Sequence, residues 1–389
     1  MKVPLLDLKA QYNEIKDDIN PKVADVIKSQ VFILGPVVEE FEKRMADYIT
    51  ASYAVGVSSG SDALIISLMA LDISVGDIVI TTPFTFFATA GAVSRVGARP
   101  VFCDINPETY NLEPEKLAVL LAEMENKERD RLKAVIPVHL YGQCADMDPI
   151  MSLAKKFDFA VIEDAAQAVG SEYPSSEGPR KACTMGDMNI LSFFPSKNLG
   201  GFGDGGMVLT DNENLYQKLR LLRVHGSRNK YFNDIIGGNF RLDALQAAVL
   251  CVKMNYLESW HEKRREHADY YNRAFEEEGW IKDGLVKPPK AVYRDRGIKN
   301  DHIYNQYVIR VEQRDKLQAY LKEQGIGTAI YYPLPLHLQE CFSDLGYKQG
   351  DFPVSEKAAR EVLALPIYPE LSREQQDYVV TTIKNFFSR

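Results

Sequence analysis

The sequence has 389 residues, of which 46% are apolar and 26% charged, and 46 basic residues against 54 acidic ones give a net charge of −8. A chain of this size is expected to bury a large core in about two or three domains, which excludes a disordered tail and a small disulfide-stapled scaffold. The acidic balance argues against general binding to nucleic acids or anionic membranes, because both depend on basic surface.

Cysteine and histidine usage points away from a disulfide framework and from a metal site. The five cysteines form no C-x-x-C pair, which is typical of a reduced chain and predicts a cytoplasmic protein. The six histidines are scattered, so we expect no metal. The N-terminal residues turn polar too early for a signal peptide, and no apolar run is long enough to cross a membrane.

Apolar strand-like runs alternate with amphipathic windows through the first two thirds of the chain. This alternation predicts a doubly wound α/β layer with a mainly parallel sheet. Predicted helices cover residues 63–71, 87–96, 115–125 and 148–157, and predicted strands cover residues 77–81, 99–103, 134–138 and 160–162. The charged run at 125–131 has no apolar period and is interpreted as a solvated loop or helix end.

A second pattern begins after one long helix that the sequence predicts from residue 242 to 260 and onward through 266–278. It predicts strands at 302–311 and 328–332 and helices at 314–323, 355–363 and 373–387. We therefore expect a large domain over residues 1–260 and a smaller α+β domain over residues 261–389.

Two predicted strands end in features suited to a ligand site. After the strand-like AVGV, small residues run into a helix at Ser59-Gly-Ser61, where free N–H groups of the first turn could bind an anion. A plain capped helix is the alternative. A second strand ends in Glu163 and Asp164, and an acid at that position faces the ligand crevice of such a sheet or serves a structural role.

A lysine and an aromatic cluster complete the set. Lys197 follows a strand and enters a glycine-rich bend, where desolvation would lower its pKa and make the amine nucleophilic; an ordinary loop lysine is the alternative. Gly201-x-Gly203-x-x-Gly206 has dinucleotide-fingerprint spacing but leads into a strand, so we reject that interpretation. Phe84, Phe86 and Phe87 follow another strand and could be core or could cover a planar ligand.

One cofactor needs all four features. Pyridoxal 5′-phosphate requires an anion site, a lysine for its aldehyde, a carboxylate for its pyridine nitrogen and an aromatic group on its ring. The sequence supplies each of them once, which favours this cofactor over four unrelated structural roles.

At this point the chain resembles the DegT/DnrJ/StrS family of pyridoxal phosphate-dependent nucleotide-sugar aminotransferases, of fold type I. The resemblance extends over essentially the whole chain. Its motifs begin at Pro4, Phe32, Ser58, His139, Glu163, Ser192 and Asn239, and run as PLLDL, FILGP, SSGSDAL, HLYGQ, EDAAQ, SFFPSK and NFRLD. The implied fold is a mainly parallel, mixed sheet of about seven strands between helices, plus a smaller C-terminal α+β domain.

The resemblance implies a role for each matching residue. Lys197 would be the catalytic residue that binds the cofactor's aldehyde, and Asp164 would pair with its ring nitrogen. The other implied cofactor-binding residues are Gln167 at the 3′ oxygen, Ser61, Asp62 and Ser192 at the phosphate, Phe86 on the ring, and Asn239 toward the neighbouring subunit's phosphate. The implied substrate-binding residues are Gln30, Phe32, Ser196, Arg241, Tyr331 and Tyr332.

The same resemblance implies an activity. The chain is most similar to enzymes that aminate a 3-keto nucleotide sugar, of the UDP-2-acetamido-2-deoxy-3-keto-glucuronate type, with L-glutamate as donor, for polysaccharide or glycan synthesis. A homodimer with shared active sites is implied, because Asn239 and Arg241 would act in the neighbouring subunit. Two alternatives stay open: a 4-keto sugar as substrate, and a regulatory protein that keeps the fold without catalysis.

Overall fold

A computed structural model describes residues 1–388, and its centre is a seven-stranded sheet. The strands are β1 Tyr53–Val57, β2 Ile78–Thr81, β3 Arg99–Phe102, β4 Leu132–Val135, β5 Ala160–Asp164, β6 Glu172–Ser175, β7 Gly178–Lys181, β8 Met188–Ser192, β9 Gly206–Thr210, β10 Ser227–Asn229, β11 Phe232–Asn233, β12 Tyr307–Arg310 and β13 Val362–Leu365. The central sheet has the order β1-β9-β8-β5-β4-β2-β3. Strand β9 runs antiparallel to both of its neighbours and the other pairs are parallel, which confirms the predicted mixed, mainly parallel sheet.

Helices cover both faces of this sheet. The helices are α1 Leu8–Ser29, α2 Pro36–Ile49, α3 Gly60–Ala70, α4 Ala88–Arg95, α5 Pro114–Glu123, α6 Asn126–Arg129, α7 Met147–Phe157, α8 Glu213–Leu222, α9 Ala244–Lys253, α10 Leu257–Glu277, α11 Arg314–Glu323, α12 Pro353–Glu361 and α13 Arg373–Phe387. Along β2, Ile78 and Ile80 enter the core under α2, α5, α7 and α9, whereas Val79 enters the core under α3, α4 and α8. Because successive strand residues point to opposite faces, one apolar strand serves two cores.

The first two helices have no counterpart in the sequence prediction. Helix α1 is capped by the Asp7 carboxylate, which accepts hydrogen bonds from the N–H groups of Lys9 and Ala10. Its apolar residues Ile15, Ile19, Val23 and Val26 recur at helical spacing, but Pro21 lies inside the helix, where the sequence alone predicts a break. Helix α2 begins with Pro36 at its first position, a placement that suits the fixed φ of proline.

The predicted long helix from residue 242 is wrong, because the chain turns at residues 254–256 and forms two helices, α9 and α10. No proline or glycine marks the turn. Packing decides it: α9 lies in the core of the large sheet, whereas Ala268, Tyr271 and Phe275 of α10 belong to the core of the smaller unit. Helix α10 therefore crosses the domain boundary predicted after residue 260.

The smaller unit forms around a two-stranded antiparallel sheet of β12 and β13, with α10, α11 and α13 packed on it. Strand β13 was predicted as the end of a helix at 355–363, and the strand predicted at 328–332 is reduced to one bridge between Ala329 and Ala364. The N-terminal Val3 also enters this core and bridges to Ile326. The ends of the chain thus meet in the same unit.

Candidate active site

A cavity of about 610 Å³ lies where the carboxyl ends of β5 and β8 meet the start of α3. Parallel strands bring their carboxyl ends to one edge of the sheet, which is the expected ligand crevice of this architecture. Of the residues singled out in the sequence, the cavity is lined by Ser61, Phe86, Asp164, Gln167, Ser192, Ser196, Lys197, Tyr331 and Tyr332. Segments far apart in the chain therefore converge on a single site.

Lys197 stands in the bend that follows β8, with its backbone N–H donating to the Phe194 carbonyl at 2.8 Å. Burial of its amine lowers the pKa to about 8, and the negative charge of Asp164 opposes that decrease. A lysine with an ordinary pKa is almost fully protonated near neutrality, whereas one at about 8 is neutral in about one molecule in ten at pH 7. Lys197 can therefore act as a nucleophile and as a base.

Asp164 is the last residue of β5 and is 4% exposed. Burial raises the pKa of its carboxyl, and hydrogen bonds from the Thr89 hydroxyl at 2.8 Å and the Ala166 N–H at 3.2 Å act in the opposite direction. A carboxylate needs more acceptor bonds than these two to be satisfied. Asp164 thus retains the capacity to pair with a cationic group in the cavity.

The start of α3 offers unpaired donors. Ser59 caps the helix by accepting from the Asp62 N–H at 3.0 Å, so that N–H is already used, whereas the N–H groups of Gly60 and Ser61 make no hydrogen bond within residues 1–388. Gly60 packs so tightly on the end of β8 that an added Cβ would lie 2.7 Å from Ser192 Cβ. This close approach places the Ser192 hydroxyl beside the helix start, where an anion would bind.

Gln167 is oriented by its neighbours. Its Oε1 accepts from the Tyr141 N–H at 2.7 Å, which leaves its Nε2 to donate to the Tyr332 hydroxyl at 3.1 Å and to offer a second N–H. Burial raises the pKa of Tyr332 well above its usual value, so this hydroxyl stays protonated. The ring of Phe86 lies 6.3 Å from that of Tyr332 and is 57% exposed, which leaves a free aromatic face at the cavity.

The other sequence-predicted residues do not line this cavity. Asn239 is exposed, and Arg241 bridges to Val57 through its backbone, with its Nε buried and unpartnered. Gln30 donates from its Nε2 to the Ile27 carbonyl at the end of α1, and Phe32 packs against the core of the large sheet. Neither pair reaches the cavity of its own chain.

The structure also adds lining residues that the sequence prediction missed. Thr85 and Thr89 lie four residues apart in the segment that contains the aromatic cluster, and both are buried. Thr89 lies in α4 but Thr85 precedes that helix, so helical spacing gave no signal for the pair. Gln306 and Asp204 also line the cavity, and neither had a sequence signal.

These residues fit pyridoxal phosphate. The unpaired N–H groups of α3 and Ser192 suit a phosphate, the under-satisfied Asp164 suits a cationic ring nitrogen, and Lys197 suits an aldehyde. Within residues 1–388, no group of three His, Cys, Asp or Glu residues is arranged to hold a metal ion. None of the helices described is both long enough and apolar enough to cross a membrane.

Known proteins similar to this chain include aminotransferases. Residues 13–384 match the model of the DegT/DnrJ/EryC1/StrS aminotransferase family. The chain is 48% identical to a protein of Geobacillus stearothermophilus named pleiotropic regulatory protein, over 100% of this chain and 99% of the relative. It is 38% identical to the UDP-2-acetamido-2-deoxy-3-oxo-D-glucuronate aminotransferase of Pseudomonas aeruginosa, over 98% and 100%.

Among solved structures, S. venezuelae DesV in complex with a ketimine intermediate is similar. It aligns with a TM-score of 0.89 and 37% identity, covering 100% of this chain and 99% of that one.

Proposed function

This chain belongs to the DegT/DnrJ/EryC1/StrS aminotransferase family of pyridoxal phosphate-dependent enzymes, and on that premise we propose that it aminates a nucleotide-linked keto sugar with L-glutamate as donor. The observation that carries the proposal is that Lys197, whose pKa is about 8, and the buried Asp164 line the same cavity. The Pseudomonas aeruginosa relative, named as an aminotransferase of a UDP-linked 3-oxo sugar, supports the substrate class.

The cofactor supplies an aldehyde that takes up an amino group and a ring that withdraws electrons from the carbon next to it. Lys197 would bind that aldehyde, Asp164 would hold the ring nitrogen, and Gln167 would bind the 3′ oxygen. The N–H of Asp62 is already bonded to the Ser59 hydroxyl, so Asp62 is not assigned to the phosphate. Ser61 and Ser192 would bind the phosphate, with Phe86 on the ring. These assignments use groups that the structure leaves available, namely the Gly60 and Ser61 N–H groups and the second N–H of Gln167.

Lys197 would also move the protons. Once the donor's amino group displaces it, its Nζ is free to take a proton from the donor's α carbon, and a neutral amine is needed for that step. The lowered pKa supplies the neutral form near neutral pH. The charge of Asp164 would stabilise positive charge on the ring as the α carbon loses its proton, which is a preorganised electrostatic effect.

The sugar would lie against Ser196, Tyr331 and Tyr332, which line the cavity. A 3-keto UDP- or dTDP-hexose is our first choice because of the Pseudomonas aeruginosa relative, and a 4-keto sugar is the alternative. The five cysteines are unpaired and four are buried, which suits the cytoplasm, where thiols stay reduced.

A homodimer would complete the site. The segment around β10 and β11 exposes Tyr231, Phe232 and Ile236, the last by 92%. Exposed apolar groups of this kind are typical of an interaction surface. We propose that this surface contacts a second copy of the chain. Asn239 would then reach the phosphate in that copy's cavity, and Arg241 would reach a substrate carboxylate there. Gln30 and Phe32 would also contact the substrate.

The first experiment removes the amine. In Lys197→Ala, the visible absorbance of the holoenzyme and all turnover should disappear. Borohydride reduction of the wild type followed by peptide mass mapping should place the label on Lys197; Lys253, also buried with a pKa of about 8, is the internal control. Label on Lys253, or turnover without Lys197, would overturn the mechanism.

The second experiment identifies the sugar. Wild type is incubated with glutamate and a panel of 3-keto and 4-keto UDP- and dTDP-sugars, with mass detection of the amino product. Amination of a 3-keto sugar supports the first choice, and amination of 4-keto sugars alone supports the alternative. A protein that shows the cofactor spectrum but aminates no sugar would support a regulatory role, for which the name of the Geobacillus stearothermophilus relative is the specific motive.

The third experiment tests the shared site by mixing two inactive variants. Lys197→Ala and Arg241→Ala should each lack activity, whereas a mixture that exchanges subunits should regain up to about a quarter of wild-type activity, because half of the dimers then hold one intact site. No recovery in a mixture shown to exchange subunits would contradict the proposed arrangement.

A further inference from the structure

A chain of two hydroxyl groups lies behind Asp164. Thr89 Oγ1 is 2.8 Å from Asp164 Oδ2, and Thr85 Oγ1 is 3.2 Å from Thr89 Oγ1. All three residues are at most 4% exposed. We infer that Thr89, backed by Thr85, is a positioning residue that keeps Asp164 ionised and oriented toward the cofactor's ring nitrogen, an inference that rests on the proposed function.

The direction of the hydrogen bonds follows from proton counting. An ionised carboxylate only accepts, so Thr89 must donate its single hydroxyl proton to Asp164. The same oxygen is then left as an acceptor, and Thr85 must donate to it. Each bond polarises the next, which strengthens the bond that reaches the carboxylate.

Asp164 depends on this support more than most buried carboxylates do. Within the described residues no lysine, arginine or histidine lies within salt-bridge distance of it, and the other bond to its side chain, from the Ala166 N–H, is longer at 3.2 Å. Burial raises the pKa of the carboxyl, and Thr89 is the largest influence that lowers it. The Ala166 N–H, Lys197 and His139 lower the pKa less, so loss of Thr89 would raise it further and weaken the pairing with the ring nitrogen.

The geometry also fixes where the carboxylate faces. Oδ2 is held by Thr89 on α4, and Oδ1 by the backbone just beyond β5. Thr89 belongs to α4, whose Ala92 and Val93 lie in the core, and Ala166 packs against the same core. The carboxylate's remaining lone pairs are then the ones available to a ligand.

The test compares holoenzymes of wild type, Thr89→Val, Thr89→Ser and Thr85→Val. Valine keeps the shape of threonine and removes only the hydroxyl. A hydrogen bond to a charged group predicts a loss of about tenfold to a hundredfold in kcat and in cofactor affinity for Thr89→Val, with a smaller loss for Thr85→Val. Thr89→Ser keeps the hydroxyl and should restore most of both quantities, while KM for glutamate should change little in every variant.

A spectroscopic readout separates positioning from mere stability. If Asp164 no longer holds the ring proton, a positive charge is lost, and the visible band of the Lys197-bound cofactor should titrate at higher pH in Thr89→Val. Thr382→Val is the matched control, because that hydroxyl donates to the Tyr378 carbonyl within α13. It should leave the titration unchanged.

An unchanged titration midpoint together with unchanged cofactor affinity in Thr89→Val would overturn the inference. If Thr89→Val fails to fold, Thr85→Val and Thr89→Ser decide the question by the same two readouts. Failure of the proposed function would be distinguishable, because the wild-type protein would then show no visible cofactor band or no transamination at all.

Discussion

Two adjacent carboxylates at the end of β5 differ in how fully the protein supplies them with hydrogen-bond donors. Glu163 and Asp164 are both buried, at 0% and 4% exposure, and point to opposite sides of the sheet because successive strand residues alternate. The same backbone therefore delivers one acid to the protein interior and the other to the cavity.

Glu163 is fully used by the fold. Its Oε1 accepts from the N–H groups of Met185 and Gly186, and its Oε2 accepts from the Cys183 N–H and from His139 Nε2 at 2.8 Å. Burial pushes the pKa of this carboxyl upward, but the hydrogen bonds from His139 and from the backbone N–H groups outweigh it and lower the pKa. No acceptor capacity is left for a ligand.

Asp164 shows the converse. It has one hydroxyl and one N–H as partners, and burial leaves its pKa raised. A buried carboxylate whose acceptor sites are all occupied by protein donors thus indicates a structural role, whereas one with free acceptor sites beside a cavity indicates a ligand-binding site.

The largest expected effect comes from Asp164→Asn. Removing a preorganised charge from the ring nitrogen should lower kcat by about 100- to 1000-fold. The cofactor-free variant should be at least as stable as wild type at neutral pH, because it no longer buries a poorly compensated charge. Steady-state kinetics and thermal unfolding check both parts; an Asp164→Asn variant with wild-type kcat would contradict the role proposed for Asp164.

The next effect, from Glu163→Gln, is expected in stability instead. The amide group of glutamine cannot accept two of the four hydrogen bonds, which leaves two buried donors unpaired at a cost of about 1–3 kcal/mol each. Denaturant unfolding should show this loss, while the folded fraction keeps its cofactor spectrum. If Glu163→Gln lost the spectrum without losing stability, the structural role assigned to Glu163 would be wrong.

The smallest effect is the pH dependence of unfolding in the cofactor-free protein. Because the folded pKa of Glu163 is lowered, its contribution is present above the unfolded value of about 4.3 and is lost as pH falls through the folded value. Asp164, with a raised pKa, has the opposite sign: stability falls as pH rises through the folded value.

Unfolding free energies of wild type and both variants, measured from pH 3 to 8, test these signs. The unfolding free energy of Glu163→Gln should lie below that of wild type by an amount that shrinks as the pH falls. The unfolding free energy of Asp164→Asn should exceed that of wild type by an amount that grows as the pH rises toward neutrality. Parallel curves for all three proteins would contradict both assignments.

Much of the site could be predicted because its residues stand at junctions that the sequence marks. Strand-like runs precede Ser59, Asp164 and Lys197, and small or glycine-rich segments follow the first and the last. Since parallel strands end at one edge, their carboxyl ends could be expected to converge. Helix α9 and helix α10 were predicted as one helix because a packing-driven turn at residues 254–256 leaves no local signal.

Periodicity and residue type are local properties, and they were enough to predict the sheet class, the cofactor chemistry and Lys197 as the candidate nucleophile. The tertiary structure alone set the partners of each carboxylate. It brings the Thr89 hydroxyl within hydrogen-bond distance of Asp164 and surrounds the Glu163 carboxylate with four donors. It leaves Asn239 and Arg241 outside the cavity of their own chain. Those outcomes depend on contacts between segments distant in the chain, and no local pattern encodes them.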